Sequence, residues 1–381
     1  MVVRLSDEHR MIQATVREFA ARELRPIAAD LDRHPRFPAE VVARAAELGL
    51  MGMTVPEEYG GPGLDPLAYV VAQEELARVS AGFQTIVTVN NSLACEPILR
   101  WGTEDQKRRY LPGLVSGAHL GCYCLTEPGA GSDAMSLRAS AVLRGDEWIL
   151  SGTKFFVTNG VEADLCVVYA RSEQAPGARG ISAFLVEKSF PGVRVGKVEH
   201  KLGIRCSSTA ELIFDDCRVP QENLLGQRGQ GGKIALATLD GGRIGIAAQA
   251  LGIARAALED AAAHALQRYQ FGVPIATFQA VRWALADMAT RLEAARQLTY
   301  RAAALRGAGQ PHTREAAMAK LAASEAAMFA AHKAVQLLGG YGYIEDYPVE
   351  RYFRDAKITE IYEGTSEIQR VVIARHLLAH H

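Results

Sequence analysis

Two changes of residue pattern restrict the fold of this chain more than any single motif does. Up to about residue 115 the apolar side chains recur at helical spacing. Ser6 is a favourable N-cap, Asp7 and Glu8 occupy the first turn where the helix dipole favours acids, and Ile12, Val16, Phe19 and Ile27 follow at intervals of four, three and eight. Pro26 marks a kink or an end of that helix. Phe37–Leu50, Leu67–Val79, Ser92–Trp101 and Glu104–Ser116 are further helical candidates, the last capped by Thr103, with Val55–Gly63 as a turn-rich loop. From about His119 to about Gly226 the runs become short, β-branched and cut by Gly, Pro, Asp and Asn. Ser140–Leu143, Trp148–Leu150, Leu165–Ala170, Ile181–Val186, Val193–Val198 and Ala210–Phe214 predict an antiparallel β domain rather than βαβ units. From Gly231 the pattern returns to helix. Ile234–Gln267, Thr277–Arg306, Thr313–Leu338 and Val349–Lys357 are Ala-rich, periodic and joined by short loops, which predicts a bundle. The expected architecture is α+β and multidomain: an N-terminal all-α domain over 1–117, a middle antiparallel β barrel or sandwich over 118–229, and a C-terminal helical bundle over 230–381.

That division agrees with length, since 381 residues exceed what one core usually serves. The net charge of −1 advertises neither nucleic acid nor an anionic membrane, so a bound polyanion must be held by a few placed residues. The cysteines Cys95, Cys122, Cys124, Cys166, Cys206 and Cys217 form no C-x-x-C pair and lie mostly in apolar runs, which predicts buried, reduced thiols. Cys122 and Cys124 share a strand face, as a packing pair rather than a metal site. Arg4, Asp7, Glu8 and Arg10 leave no apolar signal segment, and no run is long enough to span a membrane. The expected location is the cytoplasm of a bacterial-type cell, with the mitochondrial matrix as the alternative for a processed organellar protein.

Within this frame the stretch Ile358–Arg370 carries the most chemistry. Glu363 follows an aromatic residue and precedes Gly364, Thr365 and Ser366. Its carboxylate can lean into an apolar cavity, where burial raises the pKa from about 4.3 towards a general base. Gly364 permits a close approach to the backbone, and Thr365 or Ser366 can cap a helix whose buried side is Ile368, Val371 and Val372. The plain alternative is a solvated Glu in a turn.

Five other motifs accompany it. In Tyr123–Asp133, Gly129, Gly131 and Ala134 mimic a dinucleotide fingerprint. Pro128, a following strand and Lys154 where an acid belongs exclude that reading. The loop, with its Thr126 and Ser132 hydroxyls, could serve a flavin ring or a phosphate, or be a simple tight turn. Lys154–Gly160 is an aromatic pair followed by a hydroxyl and a turn. Leu239–Arg243 is expected to open a helix, with Asp240 and Arg243 on one face as a ligand contact or a surface pair. Arg268–Ile275 with Gln279 is the fourth, and Gln336–Gly342 the fifth, where a glycine pair at a helix end lets a pyrophosphate approach the backbone.

In this order the motifs resemble the acyl-CoA dehydrogenase family, most closely its short-chain (butyryl-CoA) branch, from the first helix to Arg375. The most specific matches are Thr126–Asp133, Lys201–Ser208 with Leu239–Arg243, and Asp355–Arg370. The resemblance implies an FAD enzyme with a C-terminal four-helix bundle, usually a homotetramer. It implies that Glu363 takes the α-proton of a short- or branched-chain acyl-CoA while the β-hydrogen leaves as hydride to flavin N5, giving a trans-2-enoyl-CoA. The Glu363 N–H, with a ribityl hydroxyl, would hold the thioester oxygen. Some relatives carry the base on the helix after the barrel; that site here is Gly242.

For FAD the resemblance points to Leu125, Thr126, Ser132, Phe156, Val157 and Thr158, with Thr158 beside N5. Arg268, Phe271, Gln279, Gln336, Leu337, Leu338, Gly339 and Gly340 match positions for the adenine dinucleotide, partly from a neighbouring subunit, and Thr365, Ser366 and Glu367 complete the site. For acyl-CoA it points to Ser132, Asp240, Arg243 and Gly364. Phe156 stands where the family commonly has Trp, which keeps an aromatic face but loses an N–H near the route to the implied acceptor, electron-transferring flavoprotein. The alternatives are an oxygen-using, oxidase-like relative and a catalytically silent flavin-binding scaffold of the damage-response kind; retention of Glu363 and the balanced charge argue against the latter.

Overall fold

A computed structural model describes residues 3–379. Its first helix, α1 (Asp7–Phe19), begins with a reciprocal cap. Ser6 Oγ accepts from the His9 N–H at 3.2 Å, and His9 Nδ1 accepts from the Ser6 N–H at 3.1 Å. The other ring nitrogen of His9 lies 2.9 Å from Asp65, which caps the N-terminus of the helix beginning at Pro66 and so ties two helix starts together. A π-helical turn, Ala20–Leu24, ends the first helix before Pro26; α2 (Ala28–Arg33) and α3 (Ala39–Glu47) follow.

The centre of this part is α4 (Pro66–Ala77), buried all round. Its acids are not solvated: Glu74 receives Arg296 Nη2 at 2.8 Å, and Glu75 receives Arg17 and Arg255, each at 2.8 Å. Next comes α5 (Ala81–Thr88), between Val79 and Ser92 where the residue pattern predicts no helix; Ser80 Oγ caps it by accepting from the Phe83 N–H. A second π-helical stretch, Val89–Cys95, leads into α6 (Glu96–Trp101), and α7 (Glu104–Val115) starts at the Thr103 cap.

The middle strands are β1 (Gly121–Cys124), β2 (Ser140–Arg144), β3 (Glu147–Thr158), β4 (Leu165–Arg171), β5 (Ile181–Glu187), β6 (Val193–Val198), β7 (Thr209–Pro220) and β8 (Leu224–Leu225). They form one sheet in the order β6-β7-β3-β2-β4-β5-β8, with β1 paired to β4. Pairing is antiparallel, as the turn-punctuated runs predict, except that β1 runs parallel to β4 and β2 touches β4 in parallel at Ser140 and Arg171. Cys166 is the register partner of Cys122. The Cys122 and Cys124 sulfurs lie 3.8 Å apart, and all three thiols are buried. No fourth metal-ligating side chain joins them among the described residues.

The C-terminal part comprises α8 (Gly231–Gln267), a two-stranded hairpin of β9 (Tyr269–Gln270) and β10 (Val273–Pro274), then α9 (Gln279–Gly307), α10 (Thr313–Leu338), α11 (Val349–Ile358) and α12 (Ser366–Leu378). Small buried residues on α10, among them Ala316, Ala319, Ala323, Ala327 and Ala331, let it close on α8 and α9. One apolar cluster runs without a break from Phe19 and Leu76 through Ile244 and Leu251 to Ala303 and Ala330, so the first and last helical parts share a core. Two bonds tie the last helices to the rest. Asp355 Oδ1 accepts from the Ile204 N–H at 2.6 Å, and the Tyr362 hydroxyl bonds Gln249, whose amide donates to Ala81 O and Thr85 Oγ1. No described helix is long and apolar enough to cross a membrane.

Candidate active site

The middle of α8 passes beneath the loop between α11 and α12. Leu239–Arg243, expected from the sequence to open a helix, lies well inside α8. Both glycines are there to leave space. A Cβ on Gly242 would fall 1.9 Å from Glu363 Oε2, and one on Gly241 would fall 2.7 Å from Arg306 Nη1.

Glu363 sits on the facing loop with φ 52°, followed by Gly364 with φ 94°. A non-glycine residue in this left-handed region is strained, and here it aims the side chain at α8. Thr365 caps α12 by accepting from the Ile368 N–H at 3.3 Å. The expected buried face of α12 is not the one observed. Ser366 and Gln369 are buried while Val371 is 52% exposed, because Gln369 turns inward to donate to the Gly364 carbonyl at 2.7 Å. That carbonyl also receives the Lys320 ammonium at 2.8 Å.

The electrostatics follow from this packing. Glu363 as a residue is half-buried, but its Oε2 is fully enclosed and has no hydrogen-bond partner. Burial pushes its carboxyl up to about 7, against the opposing charges of Lys320 and Arg243. Arg243 and Asp240 do form an i,i+3 pair, at 2.6 Å, but it is largely buried rather than on the surface. Asp240 also accepts from Thr313 Oγ1 at 2.6 Å, which leaves the Arg243 Nε enclosed and unpartnered. Among the described residues the Glu363 backbone N–H donates to no protein acceptor.

The flavin candidates fall into two groups. Leu125, Thr126, Phe156, Val157 and Thr158 are brought together: the Phe155 N–H donates to Thr126 O at 2.9 Å, and Lys154 Nζ donates to Leu125 O at 3.2 Å and to Glu127 at 2.7 Å. A bulge between Lys154 and Val157 turns Phe156 outward, with φ 55° and 62% exposure. Built Cβ atoms on Gly129 and Gly131 meet nothing within 4 Å, and Ser132 is exposed on the same loop. Leu239 of α8 packs into the cluster holding Leu125 and Ala130, which sets this loop beside the Glu363 wall. An open face of hydroxyls, peptide groups and one aromatic ring, with the buried hydroxyl of Thr238, next to Leu239 on α8, left unpartnered, fits a flat polar ring such as a flavin.

The second group lies where α8 and α10 end. Arg268 caps α8 and stands 5.5 Å over the Tyr341 ring, beyond Gln336, Leu337, Leu338, Gly339 and Gly340 at the end of α10. Gly339 takes φ 60°, and built Cβ atoms on both glycines meet nothing within 4 Å. Phe271, with φ 54° and 93% exposure, and Gln279 at the start of α9 face solvent, as does Glu367 in the first turn of α12. Sequence reading passed over Lys320, Gln369, Gln249 and Thr313. A lysine or glutamine inside a helical stripe carries no signal of what it will touch.

Family profiles described as acyl-CoA dehydrogenase N-terminal, middle and C-terminal domain match residues 6–118, 122–217 and 229–378. The mitochondrial short-chain specific acyl-CoA dehydrogenase of Bos taurus is 55% identical over 376 residues, covering 99% of this chain and 91% of the relative. Among solved structures, a chain from work on the electron transferring flavoprotein of Acidaminococcus fermentans aligns with TM-score 0.98 and 50% identity, over 99% of this chain and 100% of that one. Butyryl-CoA dehydrogenase from Megasphaera elsdenii aligns with TM-score 0.97 and 46% identity over the same shares. A glutaryl-CoA dehydrogenase from Mycobacterium smegmatis, solved with FADH2, aligns with TM-score 0.94 and 33% identity, over 98% of this chain and 95% of that one.

Proposed function

Because the chain belongs to the acyl-CoA dehydrogenase family of flavin-dependent oxidoreductases, we propose that it converts a short- or branched-chain acyl-CoA to the trans-2-enoyl-CoA with Glu363 as the α-proton base. The observation that carries this reading is the enclosed, unpartnered Oε2 of Glu363, held over Gly242 in a site that shifts the carboxyl to about 7. A carboxylate so placed is a far stronger base than a solvated one. The free Glu363 N–H is available to hold the thioester oxygen, which makes the α-proton acidic enough to remove. Arg243, fixed by Asp240, would bind the polar end of the substrate with Ser132 and Gly364.

We assign the flavin as FAD, which when bound supplies the hydride acceptor. Leu125, Thr126, Ser132, Phe156, Val157, Thr158, Thr365, Ser366 and Glu367 would hold its ring end. Arg268, Phe271, Gln279 and the end of α10 would hold the adenine dinucleotide, and the exposure of Arg268, Phe271, Gln279 and Gln336 in a single chain supports completion by a second subunit of a homotetramer. Electron-transferring flavoprotein is the proposed acceptor, supported by the Acidaminococcus match. The oxygen-using and silent-scaffold alternatives are not favoured, since the named relatives are dehydrogenases that match along the whole chain.

The test is an anaerobic mix of the flavin-loaded protein with butyryl-CoA, isobutyryl-CoA and octanoyl-CoA, followed by flavin absorbance over pH. The first two should bleach the flavin fastest, at a rate that rises with pH through the Glu363 midpoint. Glu363→Gln should stay yellow and unbleached; appreciable reduction by that variant would overturn the assignment of the base.

A further inference from the structure

Lys320 lies in the middle of α10 with its side chain completely buried, among Ala316, Ala319 and Ala323. A lysine so placed is costly, and no carboxylate forms a salt bridge with it among the described residues. Its ammonium makes one protein hydrogen bond there, to the Gly364 carbonyl at 2.8 Å. The same oxygen accepts Gln369 Nε2 at 2.7 Å, so two side chains from two helices hold one peptide group. That peptide follows the strained pair: φ is 52° at Glu363 and 94° at Gly364.

We propose that Lys320 is a positioning residue for the reaction, its ammonium clamping the Gly364 carbonyl so that the left-handed Glu363–Gly364 pair keeps the carboxylate over Gly242. The inference rests on Glu363 being the base. Two features separate Lys320 from Gln369, which grips the same atom. Lys320 is anchored on α10, whose backbone is braced at this level by Ser324, its Oγ donating to the Lys320 carbonyl or to Thr359 O, each at 2.7 Å. It also carries a charge.

Around Glu363 the charged groups are Lys320 from α10 and Arg243 from α8, the latter paired with Asp240. Tyr69 of α4, Tyr123 of β1 and Tyr362 of the loop present hydroxyls whose pKa burial raises. Around Lys320 stand Glu363, Arg243, Glu360 and Glu367. Burial brings the ammonium down to about 8, and the Glu363 charge opposes that shift.

The experiment compares flavin-loaded wild type, Lys320→Met and Gln369→Met in anaerobic reduction by butyryl-CoA across pH. Lys320→Met should lower the limiting rate about 100-fold through misplacement of the carboxylate. It should also move the acid limb of the rate profile upward by about one unit, because the opposing charge of the ammonium is gone. Gln369→Met should lower the rate with the limb unmoved. Should Lys320→Met fail to fold, Lys320→Gln keeps a donor for the carbonyl without the charge, and the limb should still move up. A wild-type rate and profile in the Lys320 variant would overturn the proposal, and so would a lowered rate with an unmoved limb, which marks a structural role only. Appreciable flavin reduction by Glu363→Gln would instead overturn the base, whatever the Lys320 variants do.

Discussion

Replacing Gly242 with alanine sets a demand of the chemistry against a preference of the helix. The new methyl would lie 1.9 Å from Glu363 Oε2 and 2.8 Å from its Cδ. Ordinary contact begins near 3.5 Å, so the carboxylate must withdraw by roughly 1.5 Å. The fold can absorb this cheaply. The atoms in the way are the far end of a side chain, whose turn off its rotamer costs about 0.5–1.5 kcal/mol. Gly242 is helical, with no positive φ, so alanine returns about 0.5–1 kcal/mol of helix propensity. Net stability should therefore stay within about 1 kcal/mol of wild type. The reaction has no such tolerance: a misplacement of about 1 Å costs roughly 100-fold, or about 2.7 kcal/mol of barrier. Anaerobic stopped-flow reduction by butyryl-CoA, beside chemical denaturation of the same sample, reads both quantities. Reduction within about threefold of wild type would refute the placement of the base against Gly242; a large loss of stability would refute the claim that only the carboxylate is in the way.

Two further outcomes follow from contacts away from Glu363. Arg268→Ala removes the cation over Tyr341 and should lower flavin content or assembly, read by absorbance and light scattering, more than the rate per bound flavin; unchanged flavin content would count against its cofactor role. Asp355→Ala leaves the buried Ile204 N–H unpaired and should cost about 1–3 kcal/mol in denaturation. Burial raises Asp355 to about 6, so its contribution to stability is complete below its ordinary 3.8 and is lost as pH climbs through about 6. Asp355→Asn, which keeps an accepting oxygen, should therefore gain on wild type across that window; a constant difference would count against a buried charge.

The long periodic elements were legible, and the sites where polar residues do structural work were not. Thr313–Leu338 is a helix over the bounds its pattern predicts, because Ala-rich periodicity and short loops agree. Leu239–Arg243 does not open a helix; Gly241 and Gly242 are tolerated mid-helix to admit Arg306 and Glu363. Counting apolar residues put Ile368, Val371 and Val372 inside; the chain buries Ser366 and Gln369 instead, since the loop carbonyl needs a donor more than the core needs another methyl. The parallel pairing of β1 with β4 joins distant segments, and no local pattern announces it. Glu363 was found through its neighbours Gly364 and Thr365, but its left-handed backbone and the Lys320 clamp are three-dimensional facts.

The bonds from Asp355 to Ile204 and from Tyr362 to Gln249 also bear on the order in which this protein comes alive during translation. In each case the partner that satisfies the bond leaves the ribosome after the one that needs it. The first helices and the sheet can condense early, as domains generally do, with the Ile204 N–H and the Gln249 carbonyl still answered by water. The apolar surface that α10 will cover stays open until that helix emerges, so a nascent chain stalled before it presents shared core to any neighbour. The carboxylate proposed as the base is delivered last, onto a floor already laid beneath it.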